Sequence, residues 1–322
     1  MRKKIGKIVK RILIIILFIL MAGIIWNAVC RTMEKSELKG AYGIQVDVDG
    51  KKMVVDIAGQ EDEPTIVLLP GWGSPSPVLE FKPLATALAK NYRVITVEPF
   101  GYGLSDGTGK ERSIENIVQE LHECMQKLGC KEYYLMGHSV AGIYELYWAN
   151  EYPDEVKGFI GIDPSVPHMT DEDPLPVSIV TLNKLSAYFS KSMNVIGLNR
   201  LISLSNPRKV IYADSSFTYT GEELEVFRML TIDAAQNRTV MDEMNQTERN
   251  LAAVREMKFP AEIPVLEFVS GDNCELMPAW EKLHKDVIAD DGTGEVLKLE
   301  GSHYLHFEQL DTIVQKVEDW IP

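Results

Sequence analysis

Residues 134–144 read "YLMGHSVAGIY". An apolar run ends at Gly137-His138-Ser139, and a second apolar pattern with helical spacing opens at Val140-Ala141-Gly142. A serine set between a strand and a helix in that way suits a nucleophile, because the sharp turn exposes its hydroxyl and small neighbours let the two elements approach. The helix start also brings the Val140 N–H, with the helix dipole behind it, to where a negative oxygen would develop. Gly137-x-Ser139-x-Ala141 is one methyl away from the G-x-S-x-G pattern, and a serine opening a helix can equally be a plain N-cap. The stretch alone leaves both readings open.

On either side, short apolar runs alternate with helical patterns. "TIVLL" (65–69), "YRVITVE" (92–98), "KEYYLMGH" (131–138), "KGFIGID" (157–163), "IPVLEFVSG" (263–271) and "GEVLKLEG" (294–301) have the continuous apolar character of strands buried on both faces. Between them, helical periodicity is expected over 78–90, over Ile114 to Leu128 behind the capping Ser113, over 280–288 and over 311–321. "GIQVDVDGKKMVVDIAG" (43–59) alternates about Asp49-Gly50 and reads as a hairpin. Alternating strands and helices predict an α/β chain with a doubly wound, mostly parallel sheet. From Pro164 to Ile263 the alternation stops and only helical stretches occur. An insertion of that length is expected to be a helical cap. The expected organisation is an N-terminal segment (1–30), a core first part (41–163), the cap (164–263) and a core second part (264–322).

The net charge is −14, and six positive charges lie in Arg2, Lys3, Lys4, Lys7, Lys10 and Arg11, so the rest of the chain stands at −20. So acidic a body is a poor partner for nucleic acid. The basic cluster runs into an uncharged stretch, Ile12 to Val29, whose one strongly polar residue is Asn27. This pattern fits a membrane anchor or a cleaved secretory signal. It is longer than a signal core and has no small-residue cleavage pattern, so an uncleaved transmembrane helix is expected. Trp26 would sit near the far interface, a polar connector would follow, and the basic flank would keep the N-terminus cytoplasmic with the bulk of the chain on the outer face. Cys30, Cys124, Cys130 and Cys274 have neither disulfide-framework nor metal-ligand spacing. Cys124 falls on an apolar helix face. Asn237-Arg-Thr and Asn245-Gln-Thr match the glycosylation pattern but lie in helical stretches. No phosphate-binding glycine loop or zinc pattern occurs.

With "LLPGWGSP" (68–75), "VEPFGYGLSD" (97–106), "MGHSVAG" (136–142) and "LEGSHYLHFE" (299–308) in this order, the chain resembles the α/β-hydrolase family over about residues 41–322. The resemblance implies an eight-stranded, mostly parallel sheet with a cap over the site, and a serine, acid and histidine working without metal or organic cofactor. It places Ser139 as nucleophile and His303 as general base, with the Trp72 and Val140 amides as oxyanion hole. His306, three residues beyond the base, would pack against the site wall. His122, His138, His168 and His284 would be structural or solvent-exposed. In "SGDNCELMP" (270–278) the acid's usual place falls on Asn273 or Cys274, neither a carboxylate. Asp163, ending the strand before the cap, is therefore the leading acid, with Asp272 and Glu275 as alternatives. The activity implied is a membrane-anchored, carboxylesterase-like serine hydrolase acting on a small ester or acyl substrate. Aminopeptidase, thioesterase and acyltransferase chemistry, or a non-catalytic binding protein on the same fold, are the alternatives.

Overall fold

The apolar stretch and the polar residues after it form one helix, α1 (Arg2–Leu38), in the computed structural model, which describes residues 2–171 and 178–322 and side chains from residue 6 onward. Arg2, Lys3 and Lys4 thus lie outside the described side chains, and the Glu172 to Val177 part of the expected cap lies outside the described residues. The connector expected after Val29 is helical to Leu38 because its charges have partners. Arg31 pairs with Asp233 at 3.0 Å, and Glu34 with Arg228 at 2.8 Å and with Arg200. Asn27, the polar residue of the apolar stretch, is buried. Its amide donates to the Asn194 carbonyl (2.9 Å) and its oxygen accepts from Arg200 Nε (2.8 Å).

After α1 the chain runs β1 (Ile44–Val48), β2 (Lys51–Ala58), β3 (Thr65–Leu69), α2 (Pro77–Glu80), α3 (Lys82–Leu88) and β4 (Arg93–Glu98). The single helix expected over 78–90 is two, broken at Phe81, ahead of Pro83, whose ring cannot donate a helical hydrogen bond. Then come α4 (Ile114–Lys127), β5 (Tyr133–His138), α5 (Ala141–Glu151) and β6 (Val156–Ile162). Between β6 and the next strand the described residues form helices: α6 (Ile179–Val195), α7 (Leu198–Ser203), a short 3₁₀ turn, α8 (Gly221–Asp233) and α9 (Arg238–Ala253). Thr220 starts α8 with a capping box to Glu223, and Asn237 caps α9. The Asn237 amide also donates to the carbonyls of Gly101 and Ala234, so its side chain is engaged inside the fold. The chain ends with β7 (Val265–Ser270), α10 (Gly271–Leu276), α11 (Trp280–Asp286), β8 (Gly294–Leu299), α12 (Leu305–Glu308) and α13 (Leu310–Trp320).

The eight strands form one sheet in the order β1-β2-β4-β3-β5-β6-β7-β8. β1 and β2 join antiparallel and β2 pairs antiparallel with β4, while the remaining pairs are parallel. Helices cover both faces, and a buried apolar cluster lies on each. Val67, Val97, Leu135 and Phe159 pack under α4 and α5, with Cys124 among them, and Ile66, Leu68, Met136 and Phe268 pack under α3 and α13. Because parallel strands all point one way, the ends of β3, β5, β6 and β7 open on the same edge of the sheet, where ligands of open α/β sheets bind.

Candidate active site

Ser139 follows the last residue of β5 with φ at 55°, a left-handed conformation that costs a non-glycine residue of order 1–3 kcal/mol. Three backbone bonds hold it there: its N–H donates to the Ile162 carbonyl, and its own carbonyl accepts from Gly142 (3.0 Å) and Ser165 (2.6 Å). α5 has Val140 as its N-cap and no side-chain cap bond, so Ser139 does not serve as the helix cap. The methyl of Ala141 is accommodated and fully buried, whereas the crossing that needs a glycine is one residue on. A Cβ on Gly142 would lie 2.7 Å from the Ser165 carbonyl oxygen. Gly71 is pressed as closely from the other side. A Cβ there would meet His138 Nδ1 at 2.6 Å and Ser139 Cβ at 3.1 Å, so the backbone leading into Trp72 lies against the serine.

Asp163 follows the last residue of β6, also left-handed (φ 44°), with no solvent exposure. Its carboxylate accepts five hydrogen bonds. Oδ1 takes the Ser270 N–H and the Trp280 indole N–H, both at 2.9 Å, and Oδ2 takes Ser270 Oγ (2.9 Å), Asn273 Nδ2 (2.6 Å) and His303 Nδ1 (2.6 Å). Burial alone would raise its pKa. The hydrogen bond and charge of His303, with those of Ser270 and Trp280, outweigh that and hold it below the ordinary aspartate value. With Nδ1 donating, the Nε2 of His303 is the nitrogen free to accept a proton. His303 itself is held by its backbone, since the His138 ring donates from Nε2 to the His303 carbonyl at 2.9 Å. Burial, reinforced by the nearby His303 and His306, lowers the His138 pKa well below the usual value, so this ring is neutral and a donor.

Asp272 and Glu275 are exposed on α10, where the chain was expected to be a loop, and neither bonds His303 among the described residues. Asn273 from the same helix reaches inward, with its amide 3.5 Å from His303 Nδ1 and bonded to Asp163. Ser270 and Trp280 were not singled out by sequence reasoning. The available signal was Ser270 at a strand end before a glycine, which fits an N-cap, and Trp280 opening a helix after Pro278. His306 is buried with Nε2 3.4 Å from Glu80. His122 pairs with Glu155, His284 pairs with Glu267 and packs on Trp280, and His168 is exposed beside Asp171.

Trp72, Ser139, Val140, Asp163 and His303 all line one cavity of about 510 Å³. Its far wall is largely apolar, with Ile143, Val180, Met244, Leu251 and Met277. A second cavity, about 250 Å³, shares Trp72, Ser139, Gln236 and His303 with the first and adds the polar groups of Ser74, Glu80, Tyr212 and Thr231. The Trp72 indole is tied to α9 by a 3.0 Å bond to the Val240 carbonyl, so the side chain of the Gly71-Trp72 turn is fixed across the cleft.

A family model described as alpha/beta hydrolase fold matches residues 64–202. The Bacillus subtilis protein YbdG is 30% identical over 287 residues, which span 87% of this chain and 85% of that one. Among solved structures, Cfl2 from Burkholderia cenocepacia superposes with a TM-score of 0.68 at 18% identity, covering 86% of this chain and 95% of that one. The epoxide hydrolase VrEH1 from Vigna radiata does so at 0.62 and 17%, covering 88% and 98%. At these identities the structural likeness carries the fold alone.

Proposed function

Because the chain belongs to the alpha/beta hydrolase fold family, we propose that it is a membrane-anchored serine hydrolase of carboxylic esters in which Ser139, His303 and Asp163 form the catalytic triad. The single observation that carries this reading is the 2.6 Å bond from His303 Nδ1 to a buried, ionised Asp163, on the edge of the sheet where Ser139 stands in its strained turn. Asp163 fixes the tautomer of His303, so Nε2 takes the proton of Ser139 Oγ as that oxygen attacks the acyl carbonyl. The Trp72 and Val140 N–H groups stabilise the oxyanion. His303 then returns the proton to the leaving alcohol, and a water activated by the same ring releases the acid from the acyl-enzyme. Among the described residues no hydrogen bond joins Ser139 Oγ to the His303 ring, and such pairs commonly tighten only with substrate in place.

The two cavities suggest how an ester is divided. The larger, apolar one suits the acyl chain and the smaller, polar one an alcohol with hydroxyl groups. A serine at this turn sets the chemistry apart from epoxide hydrolase relatives of the fold, whose mechanism uses a carboxylate nucleophile. In this reading residues 41–163 and 264–322 form the hydrolase core and 164–263 the cap. α1, which is long and apolar enough to cross a membrane, anchors the chain with the hydrolase on the outer face.

Labelling with a fluorophosphonate tests the reading. Wild type is expected to be labelled and Ser139→Ala not, with a panel of esters of varied acyl length giving the preferred substrate. Absence of labelling in folded wild type would favour a non-catalytic binding protein.

A further inference from the structure

We propose that the exposed apolar face of α6 lies in the outer surface of the membrane that holds α1, so that the cavity takes its substrate as an amphiphilic ester directly from the lipid layer. The inference rests on the reading of α1 as an anchor and deepens the hydrolase reading by naming its substrate class.

The depth of the C-terminal end of α6 follows from how it is tied to α1. A Cβ on Gly23 would collide with the Ile196 carbonyl, and Gly197 lies against the Gly23 carbonyl and the Trp26 ring. Asn27 is locked to Asn194 and Arg200 one turn further along. The uncharged stretch ends at Val29, six residues past Gly23, which at 1.5 Å per residue is about 9 Å of helix. The whole stretch from Ile12 is about 27 Å long against a hydrocarbon layer of about 30 Å, so Gly23 cannot be drawn out of the layer without leaving it unspanned. The end of α6 at Ile196 therefore sits within the outer ~9 Å of the bilayer, the depth of about 5–10 Å at which amphipathic helices lie in an interface.

The surface of α6 matches that position. Leu182, Leu185, Phe189 and Ile196 recur at helical spacing on one side, and the first three are 41%, 61% and 67% exposed. The two charges of α6, Lys184 and Lys191, lie on another side, Lys184 paired with Glu248. Exposed apolar residues follow on α7 with Leu201 and just beyond it with Leu204, the latter 70% exposed. So large an uncharged patch is out of place on the surface of an acidic soluble body. Next to the stripe, Asn183, Ser186 and Ser190 of the same helix line the cavity, with Asn183 and Ser186 open to solvent. One helix thus carries both the lipid-facing stripe and the rim of the site.

Full-length protein in phosphatidylcholine nanodiscs tests this, with Cys30 and Cys274 changed to Ser and a bimane probe on Phe189→Cys or, as a bilayer reference, on Phe18→Cys. Lipids with a nitroxide near the headgroup are expected to quench both probes, and aqueous iodide neither. Leu185→Asp/Phe189→Asp is expected to raise KM for a long-chain ester in the nanodisc by about tenfold while changing kcat/KM for p-nitrophenyl acetate by less than about twofold. Quenching of the Phe18 probe by lipid and of the Phe189 probe by iodide alone would overturn the proposal, as would quenching at Phe189 that arises only from a second, nitroxide-labelled copy. If the Phe18 probe is not quenched by lipid, the anchor reading and this proposal fall together. If both probes are quenched but wild type cleaves neither ester, the membrane surface stands and the hydrolase reading falls.

Discussion

β6 and β7 lie side by side in the sheet, in parallel register from Phe159 opposite Val265 to Ile162 opposite Phe268. Their carboxyl ends differ in chemistry. β6 delivers one carboxylate, Asp163, into a buried position with five donors around it. β7 runs into α10, which turns two carboxylates, Asp272 and Glu275, out to solvent and one amide, Asn273, inward. The two ends meet at one point, where the end of β7 and the segment after it supply four of the five donors and the β6 side the charge. A buried carboxylate stays ionised only if the surrounding donors replace the lost water, so the donor set decides which acid can orient a histidine.

That contrast can be broken in steps. Asp163→Asn removes the charge and keeps the shape, and is expected to lower kcat by about 10³ to 10⁴ with folding intact, measured by steady-state ester hydrolysis. Exchanging the two groups in Asp163→Asn/Asn273→Asp is expected to recover about 10- to 100-fold of that loss, because the new carboxylate starts 3.5 Å or less from the same ring nitrogen. No recovery would mean that the donors around Asp163, and not closeness to His303, are what the acid requires. Trp280→Phe takes away one donor and is expected to cost about 1–3 kcal/mol in urea unfolding at pH 7. The pH dependence has a defined sign. Since the folded pKa of Asp163 is depressed, its ionisation adds stability above the unfolded value, which is lost as pH falls through the folded one. Trp280→Phe raises the folded pKa, so acid unfolding should begin at higher pH. Smallest of all, Asp272→Asn is expected to leave kcat within about twofold, its side chain being exposed.

The core strands were readable because their information is local. Thr65–Leu69 or the stretch 94–97 is buried on both faces and must be largely apolar whatever packs there, and Asp49-Gly50 sets its own turn. The turn at Ser139 was equally visible, since its small neighbours stand within five residues. What escaped reading depends on partners far away in the chain. Asn27 and the polar residues after Val29 looked like a flaw in the apolar stretch and a connector. Their partners, Asn194, Arg200, Arg228 and Asp233, lie more than 160 residues downstream. The acid was ambiguous for the same reason. Counting from either end of "SGDNCELMP" could not reveal that α10 turns its carboxylates outward, nor that Ser270 and Trp280 converge on Asp163.

The lock between Asn27 and the helices that follow β6 has a practical consequence for handling the protein. A version beginning at residue 31 looks like the natural soluble form, since it drops only the basic flank and the apolar stretch. It also strips Arg200 of the oxygen that its Nε donates to and Asn194 of the donor to its carbonyl, and it uncovers the surface that α1 buries there. Such a preparation is expected to melt earlier and to be cut by proteases first around residues 194–200, so its kinetics would describe a chain loosened at α6 and α7. Detergent-solubilised or nanodisc-held full-length protein is the better starting material for crystallisation and inhibitor screening.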